Sequence, residues 1–222
     1  MRNDGSETAR ESIWRGVRRA GMGMGLALAG VMAGCSGLGD VPPPPQVLDI
    51  STSGELRTSL PPRVPLVVSS VEAAPLLRGD GVIWREEGSL APNAYASYQW
   101  ASPPGELFAQ RLRDRLSLEG PVVLTNVSGT LPEVRVYLDR FEQVFKPGAM
   151  PGQVQSTGEI AVRVVLTQNG QVIDQLRFAM SVPAETNDAP GGAYALRQGV
   201  DAATDAVAQW LARQPQLRHH GG

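Results

Sequence analysis

Between residues 133 and 182, apolar and polar positions alternate with a period of two over three successive stretches. In the first, Val134, Val136 and Leu138 share one parity, with Arg140 following it, while Arg135, Tyr137, Asp139 and Phe141 take the other. In residues 154–168, Ile160, Val162, Val164 and Leu166 repeat the pattern. Strict alternation predicts strands with one buried face. Residues 146–152, KPGAMPG, read as a loop. Asn169-Gly170 is a two-residue hairpin signal, because both central positions of a type I′ turn need positive φ. Residues 133–145, 154–168 and 172–182 are therefore predicted as an antiparallel meander.

Shorter elements precede it. Residues 64–71, VPLVVSSV, are apolar and β-branched and predict a strand; residues 81–85 predict a second. Tyr95, Ser97 and Gln99 alternate with Ala94, Ala96, Tyr98 and Trp100 in a third, and residues 122–124 form another short strand. Ser102-Pro103-Pro104 is a helix start, with Ser102 as cap and proline in the first turn. Phe108, Leu112 and Leu116 recur at every fourth position, with Leu107 beside them, and Gly120-Pro121 stops the helix. A second helix spans residues 193–213. Its apolar stripe is Leu196, Val200, Ala203, Val207 and Trp210/Leu211, with Asp201 and Asp205 on the other side and Arg197 four residues before Asp201. The order β-β-β-α-β-β-β-β-α predicts an α+β fold, an antiparallel sheet with two helices packed on one face.

The N-terminus follows a different pattern. Five arginines (Arg2, Arg10, Arg15, Arg18, Arg19) precede an uncharged run, AGMGMGLALAGVMA, over residues 20–33. A basic segment before a short apolar one is a secretory signal, too short to span a bilayer comfortably. Arg18-Arg19 lacks the framing residues of a twin-arginine signal, so Sec export is expected. Met32-Ala33-Gly34-Cys35 looks like a lipobox, with Met32 in place of the usual leucine. Cleavage is expected between Gly34 and Cys35, with Cys35 lipidated. By resemblance to enteric sorting, Ser36 favours the outer membrane over the inner. Residues 36–62 then read as a flexible and polyproline tether, stiffest at residues 42–45, with a short strand possible at Val47-Leu48-Asp49-Ile50. The chain divides into a signal peptide at 1–34, a lipidated N-terminus and Pro-rich linker at 35–62, a domain at 63–214 and a disordered tail at 215–222.

Composition narrows the function. With 42% hydrophobic and 19% charged residues, the bulk is globular. The net charge of -2, falling to -4 after removal of residues 1–34, supplies no basic stripe for nucleic acid. A single cysteine excludes an internal disulfide or a multi-cysteine metal site. The only histidines are His219 and His220, adjacent at the C-terminal edge, so a Ser-His-Asp site and a metal centre are not expected. No HExxH, CxxC, GxSxG or P-loop pattern occurs. Glu86-Glu87 reads as a solvated pair rather than catalytic acids, and the Asn126-Val127-Ser128 sequon carries no meaning in a bacterial periplasm. Neither an enzymatic activity nor a cofactor is expected. Trp84, Tyr95, Tyr98 and Trp100 are aromatics on strands, which are more often core. Trp84 is the best candidate for exposure, because Arg85-Glu86-Glu87 follow it, and Trp84 and Arg85 are the candidates for partner contact.

Several segments resemble the ABC-type transport auxiliary lipoprotein family, whose members accompany lipid-transport systems with MCE-type proteins. They are Leu66-Val67-Val68 followed by Gly81-Val82-Ile83-Trp84-Arg85; Tyr95 to Trp100-Ala101-Ser102-Pro103 leading into the leucine helix; Tyr137-Leu138-Asp139-Arg140-Phe141-Glu142; and the alanine-rich final helix with Trp210-Leu211. Together they cover roughly residues 64–212. Trp84 stands where the family more often has tyrosine, and the tract at residues 42–45 replaces a tighter entry. The resemblance implies a non-enzymatic adaptor on the periplasmic face of the outer membrane, meeting MCE and ABC transporter components. An exposed sheet edge leaves homo-oligomers open. The alternative is a tethered lipoprotein regulating cell-wall synthesis or outer-membrane assembly.

Overall fold

A computed structural model describes residues 43–51, 59–125 and 129–218. Its organising element is the long alternating strand seen in the sequence, here β7 (Glu133–Pro147). One edge of β7 pairs along its whole length with β8 (Val154–Gln168), and β8 pairs in turn with β9 (Gln171–Pro183), both antiparallel. The turn between β8 and β9 has φ of 52° at Asn169 and 75° at Gly170, the left-handed pair that the dipeptide predicts. The meander is therefore as expected.

The other edge of β7 corrects the expectation of an antiparallel sheet. Three short strands line it in succession: β2 (Leu66–Val68), β3 (Glu72–Ala73) and β4 (Gly81–Glu86), all parallel to β7. β5 (Asn93–Trp100) returns antiparallel to β4, β1 (Gln46–Leu48) runs parallel to β5, and β6 (Val122–Val123) parallel to β2. The sheet is mixed. Alternation specifies which side chains are buried and is silent on strand direction. Direction comes from the connections, and parallel pairing needs a long crossover. Here α1 (Pro104–Leu116) and the segment after it carry the chain from the end of β5 back to the start of β7.

Two further corrections concern faces and boundaries. The registers skip Asp139, so Leu138 pairs with Val162 while Arg140 pairs with Ala161. This bulge sends Asp139 and Arg140 to solvent together and turns Phe141 into the core, at 1% exposure. The uninterrupted alternation had placed Phe141 on the opposite face. The folded domain also begins before residue 63, since β1 belongs to the sheet and Ile50 is buried. Residues 215–217, expected in a disordered tail, form a 3-10 turn that buries Leu217, and Arg218 bridges to Arg63. The predicted strand at 64–71 shrinks to β2.

α2 (Ala189–Ala212) starts four residues earlier than its apolar stripe suggests, because Asp188 caps it and Pro190 suits the first turn. α1 is capped by Pro103, with no side-chain bond from Ser102. α2 lies over β7, β8 and β9, and α1 packs beside it against β3. Leu107, Phe108, Leu112 and Leu116 of α1 and the full predicted stripe of α2 enter one core with Val134, Val136, Leu138 and Ile160 to Leu166 of alternate parity. Both helices thus cover one face, as predicted. The opposite face carries Arg135, Arg163, Arg177 and Gln175, all four exposed.

Arg63 closes the C-terminal end of α1. Its guanidinium donates to the carbonyls of Leu116 (2.6 Å), Gly120 (3.2 Å), Val64 (3.0 Å) and Pro121 (3.2 Å). Carbonyls at a helix C-terminus lack intrahelical partners, and a cation there satisfies them.

Candidate functional site

Consecutive strand residues point to opposite faces. β4 therefore cannot present Trp84 and Arg85 as one patch. Trp84 is in register with Gln143, on the helix-covered side, and Arg85 with Val144, on the other. Arg85 donates from Nε to Glu142 Oε2 at 2.7 Å, and Glu142 is only 3% exposed. Arg140 joins the same carboxylate at 3.4 Å and also bonds Glu159. This guanidinium is held in an ion-pair network on the helix-free face.

Trp84 is half-buried in an aromatic cluster. Its ring meets Phe145 edge-on at 5.6 Å and Tyr95 at 6.1 Å, and Tyr95 meets Tyr98 edge-on at 6.1 Å. Aromatic pairs favour such tilted and edge-to-face contacts. Trp100, by contrast, is core, at 5.4 Å from Phe141. The cluster forms the wall of an open groove of about 510 Å³, completed by Glu86, Val154, Asn187 and small residues of β5.

A polar floor holds the groove in place. Gln143 is fully buried; its Oε1 accepts from the Tyr95 hydroxyl at 2.9 Å and its Nε2 donates to Ser156 Oγ at 2.8 Å. The start of α2 lies directly on it. A Cβ at Gly158 would come within 2.7 Å of the Leu196 nitrogen, so glycine there permits the backbone approach, and a Cβ at Gly192 would come within 2.3 Å of Gln143 Oε1 and displace that amide. Asp188 accepts from Thr186 Oγ1 (2.6 Å) and Gly191 N (2.8 Å), which holds its carboxyl below the usual carboxylate range. Asn187 donates to the Val154 carbonyl at 2.6 Å, joining the loop before α2 to the start of β8.

Burial, reinforced by Asp188 and Tyr98, pushes the Tyr95 phenol up to about 12 from its ordinary 10.0. A native pKa above the unfolded one gives stability that is complete below pH 10 and lost as pH rises through 12. Tyr95→Phe is expected to cost about 1–3 kcal/mol at neutral pH, by leaving Gln143 without its donor. The gap between wild type and variant should narrow between pH 10 and 12, as read from urea unfolding at each pH. A constant gap across that window would show that the phenol does not titrate differently in the folded state.

Sequence reasoning missed the ion pairs between the helices. Arg111 pairs with Asp201, and Arg115 with Asp205 at 2.8 Å and with Glu119 at 2.5 Å. Arg111 and Arg115 are both buried. The signal was present: two cations four residues apart on one helix and two acids four apart on the other.

No group of three or more His, Cys, Asp or Glu among the described residues is arranged to hold a metal ion. Glu86 and Glu87 are both exposed at a turn. No helix among the described residues is long and apolar enough to cross a membrane. Gly34, Cys35, His219, His220 and the sequon at Asn126 lie outside the described residues. What the geometry presents is an open groove, with apolar rings over a hydrogen-bonded floor.

The model of a family described as ABC-type transport auxiliary lipoprotein component matches residues 47–208, from β1 into the last turns of α2. A search of curated proteins found no match. Among solved structures, a Xanthomonas campestris protein of the DUF330 family aligns with a TM-score of 0.63 and 16% identity, over 75% of this chain and 95% of that one. An uncharacterized protein aligns with a TM-score of 0.58 and 18% identity, over 76% and 99%. These two share the fold.

Proposed function

The chain belongs to the family of ABC-type transport auxiliary lipoprotein components, and on that premise we propose that it is a lipid-anchored, non-enzymatic adaptor of an MCE-type lipid transport system. Membership itself carries a transport-accessory role and a place at a membrane of the cell envelope. The finer reading adds three elements. Cys35, freed by cleavage after Gly34, receives the lipid. The anchored domain stands on the periplasmic face of the outer membrane, as Ser36 suggests. Its partners are an MCE-type protein and, through it, the ABC transporter components of the inner membrane.

The observation that carries this reading is the extent of the family match. It spans the folded domain almost completely and begins 12 residues after Cys35, leaving room for a tether and little else. A short polyproline stretch in that interval is semi-rigid and limits how far the domain can stand from the bilayer. The groove at Trp84 and the edge of β9 are surfaces an adaptor can use.

Cross-linking in intact cells, followed by purification of the tagged chain from solubilised membranes, tests the proposal. An ABC permease or ATPase and an MCE-type protein should co-purify. Recovery of cell-wall synthases or outer-membrane assembly factors in their place would overturn it.

A further inference from the structure

The three connections nearest the aromatic groove lie at one end of the sheet. β4 ends at Glu86 and β5 begins at Asn93, so the loop 87–92 is there. β4 is parallel to β7, with Glu86 opposite Phe145, so the hairpin loop between β7 and β8 is at the same end. Thr157 of β8 is opposite Pro183, which brings the end of β9 and the start of α2 there too.

The chain also enters the sheet from this end. β1 is parallel to β5, with Gln46 opposite Tyr98 and Leu48 opposite Trp100. Residues before Gln46 therefore approach from the side where β5 begins. Cys35 lies eleven residues before Gln46, a reach of at most about 40 Å. The five-residue step from Tyr98 back to Asn93 uses about 17 Å of it. A chain anchored at Cys35 thus enters the domain at this end with little length to spare.

The loop tips at this end carry apolar side chains that the fold leaves uncovered. Leu90 is 96% exposed, Met150 61% and Val154 52%. Around them stand Glu86, Glu87 and Glu185 against Lys146, an acidic balance that disfavours an anionic surface. From tether direction, tether length and these tips, we infer that this end is a membrane-docking face, with Leu90 and Met150 entering the headgroup–acyl boundary of a zwitterionic bilayer. The inference rests on the proposed lipidation of Cys35. Two or three apolar side chains bind a bilayer weakly on their own, and the anchor supplies the local concentration that makes the contact persist. Docking would also bring the mouth of the Trp84–Tyr95–Phe145 groove to the lipid surface.

The test uses the full-length lipoprotein purified from membranes and reconstituted in phosphatidylcholine–phosphatidylethanolamine vesicles. Cys35 is the only cysteine, so Leu90→Cys and Met150→Cys each supply one free thiol for an environment-sensitive fluorophore. Val172→Cys, at the opposite end beside the Asn169-Gly170 turn and 68% exposed, is the reference. Side chains that enter about 5–10 Å into the boundary approach a nitroxide carried on the lipid, so quenching at Leu90 and Met150 should exceed that at Val172 by about threefold or more. Equal quenching at all three positions, with the protein in the vesicles, overturns the docking face and leaves the anchor intact. Blue-shifted emission without lipid quenching assigns the face to a protein partner and also overturns it. Uptake of the probe by the parent chain, or its recovery in the soluble fraction, shows that Cys35 is not acylated and overturns the anchor together with the inference built on it.

Discussion

Arg115→Ala should lower the stability of the domain by about 3–5 kcal/mol, a large share of the 5–15 kcal/mol typical of a folded domain. Arg115 is 7% exposed and bonds Glu119, just past the end of α1, and Asp205 on α2. Asp205 is also held by Gln209 at 2.9 Å. Removing the cation leaves a buried carboxylate at Glu119, whose side chain is 6% exposed, and a half-buried one at Asp205, whose side chain is 17% exposed. Desolvated charge without its counterpart, rather than lost attraction, is the main cost. A triple variant, Arg115→Met with Glu119→Leu and Asp205→Leu, removes all the charge and should recover most of the loss. Urea unfolding of both variants decides the matter. If the triple variant is no more stable than Arg115→Ala, the cost lies in packing of the arginine stem and not in charge.

Cys35→Ser should abolish incorporation of acyl label and reduce the amount of protein in the membrane fraction by at least about tenfold. Each buried methylene of an acyl chain contributes roughly 0.8 kcal/mol, and more than one chain is needed for stable anchoring. The net-acidic chain offers no electrostatic substitute, and the apolar tips at Leu90 and Met150 are too few to hold it alone. The fold should be untouched, because every buried residue of the described core lies at Ile50 or beyond. Fractionation with a palmitate label, alongside the thermal unfolding midpoint, reads both parts. Undiminished membrane retention of an unlabelled variant would falsify the anchoring role of Cys35.

Much of the architecture was written in local pattern. The long strands, the Asn169-Gly170 turn, the stripes of α1 and α2 and the placement of both helices on one face follow from periodicities that depend only on neighbours in the chain. Trp100 as core and Trp84 as the more open aromatic were also legible, since a polar stretch follows one and a helix start the other. Arg85 beside Trp84 looked like part of the same surface because adjacency in sequence is easily taken for adjacency in space. On a strand the reverse holds.

By itself, then, the sequence determined the element types, the buried parity of most strands and the family. Tertiary structure alone decided the rest. The parallel direction of β2, β3 and β4 comes from how the crossovers return to β7. The bulge at Asp139, which turns Phe141 inward, comes from fitting β7 to β8 over their full length. The pairing of Arg111 and Arg115 with Asp201 and Asp205, each pair 90 residues apart, comes from laying α1 beside α2. The Trp84 groove comes from setting the start of α2 on Gln143. All of these are contacts between segments far apart in the chain. A local pattern records what a residue's own element needs, and which distant segment meets that need is settled only when the chain packs.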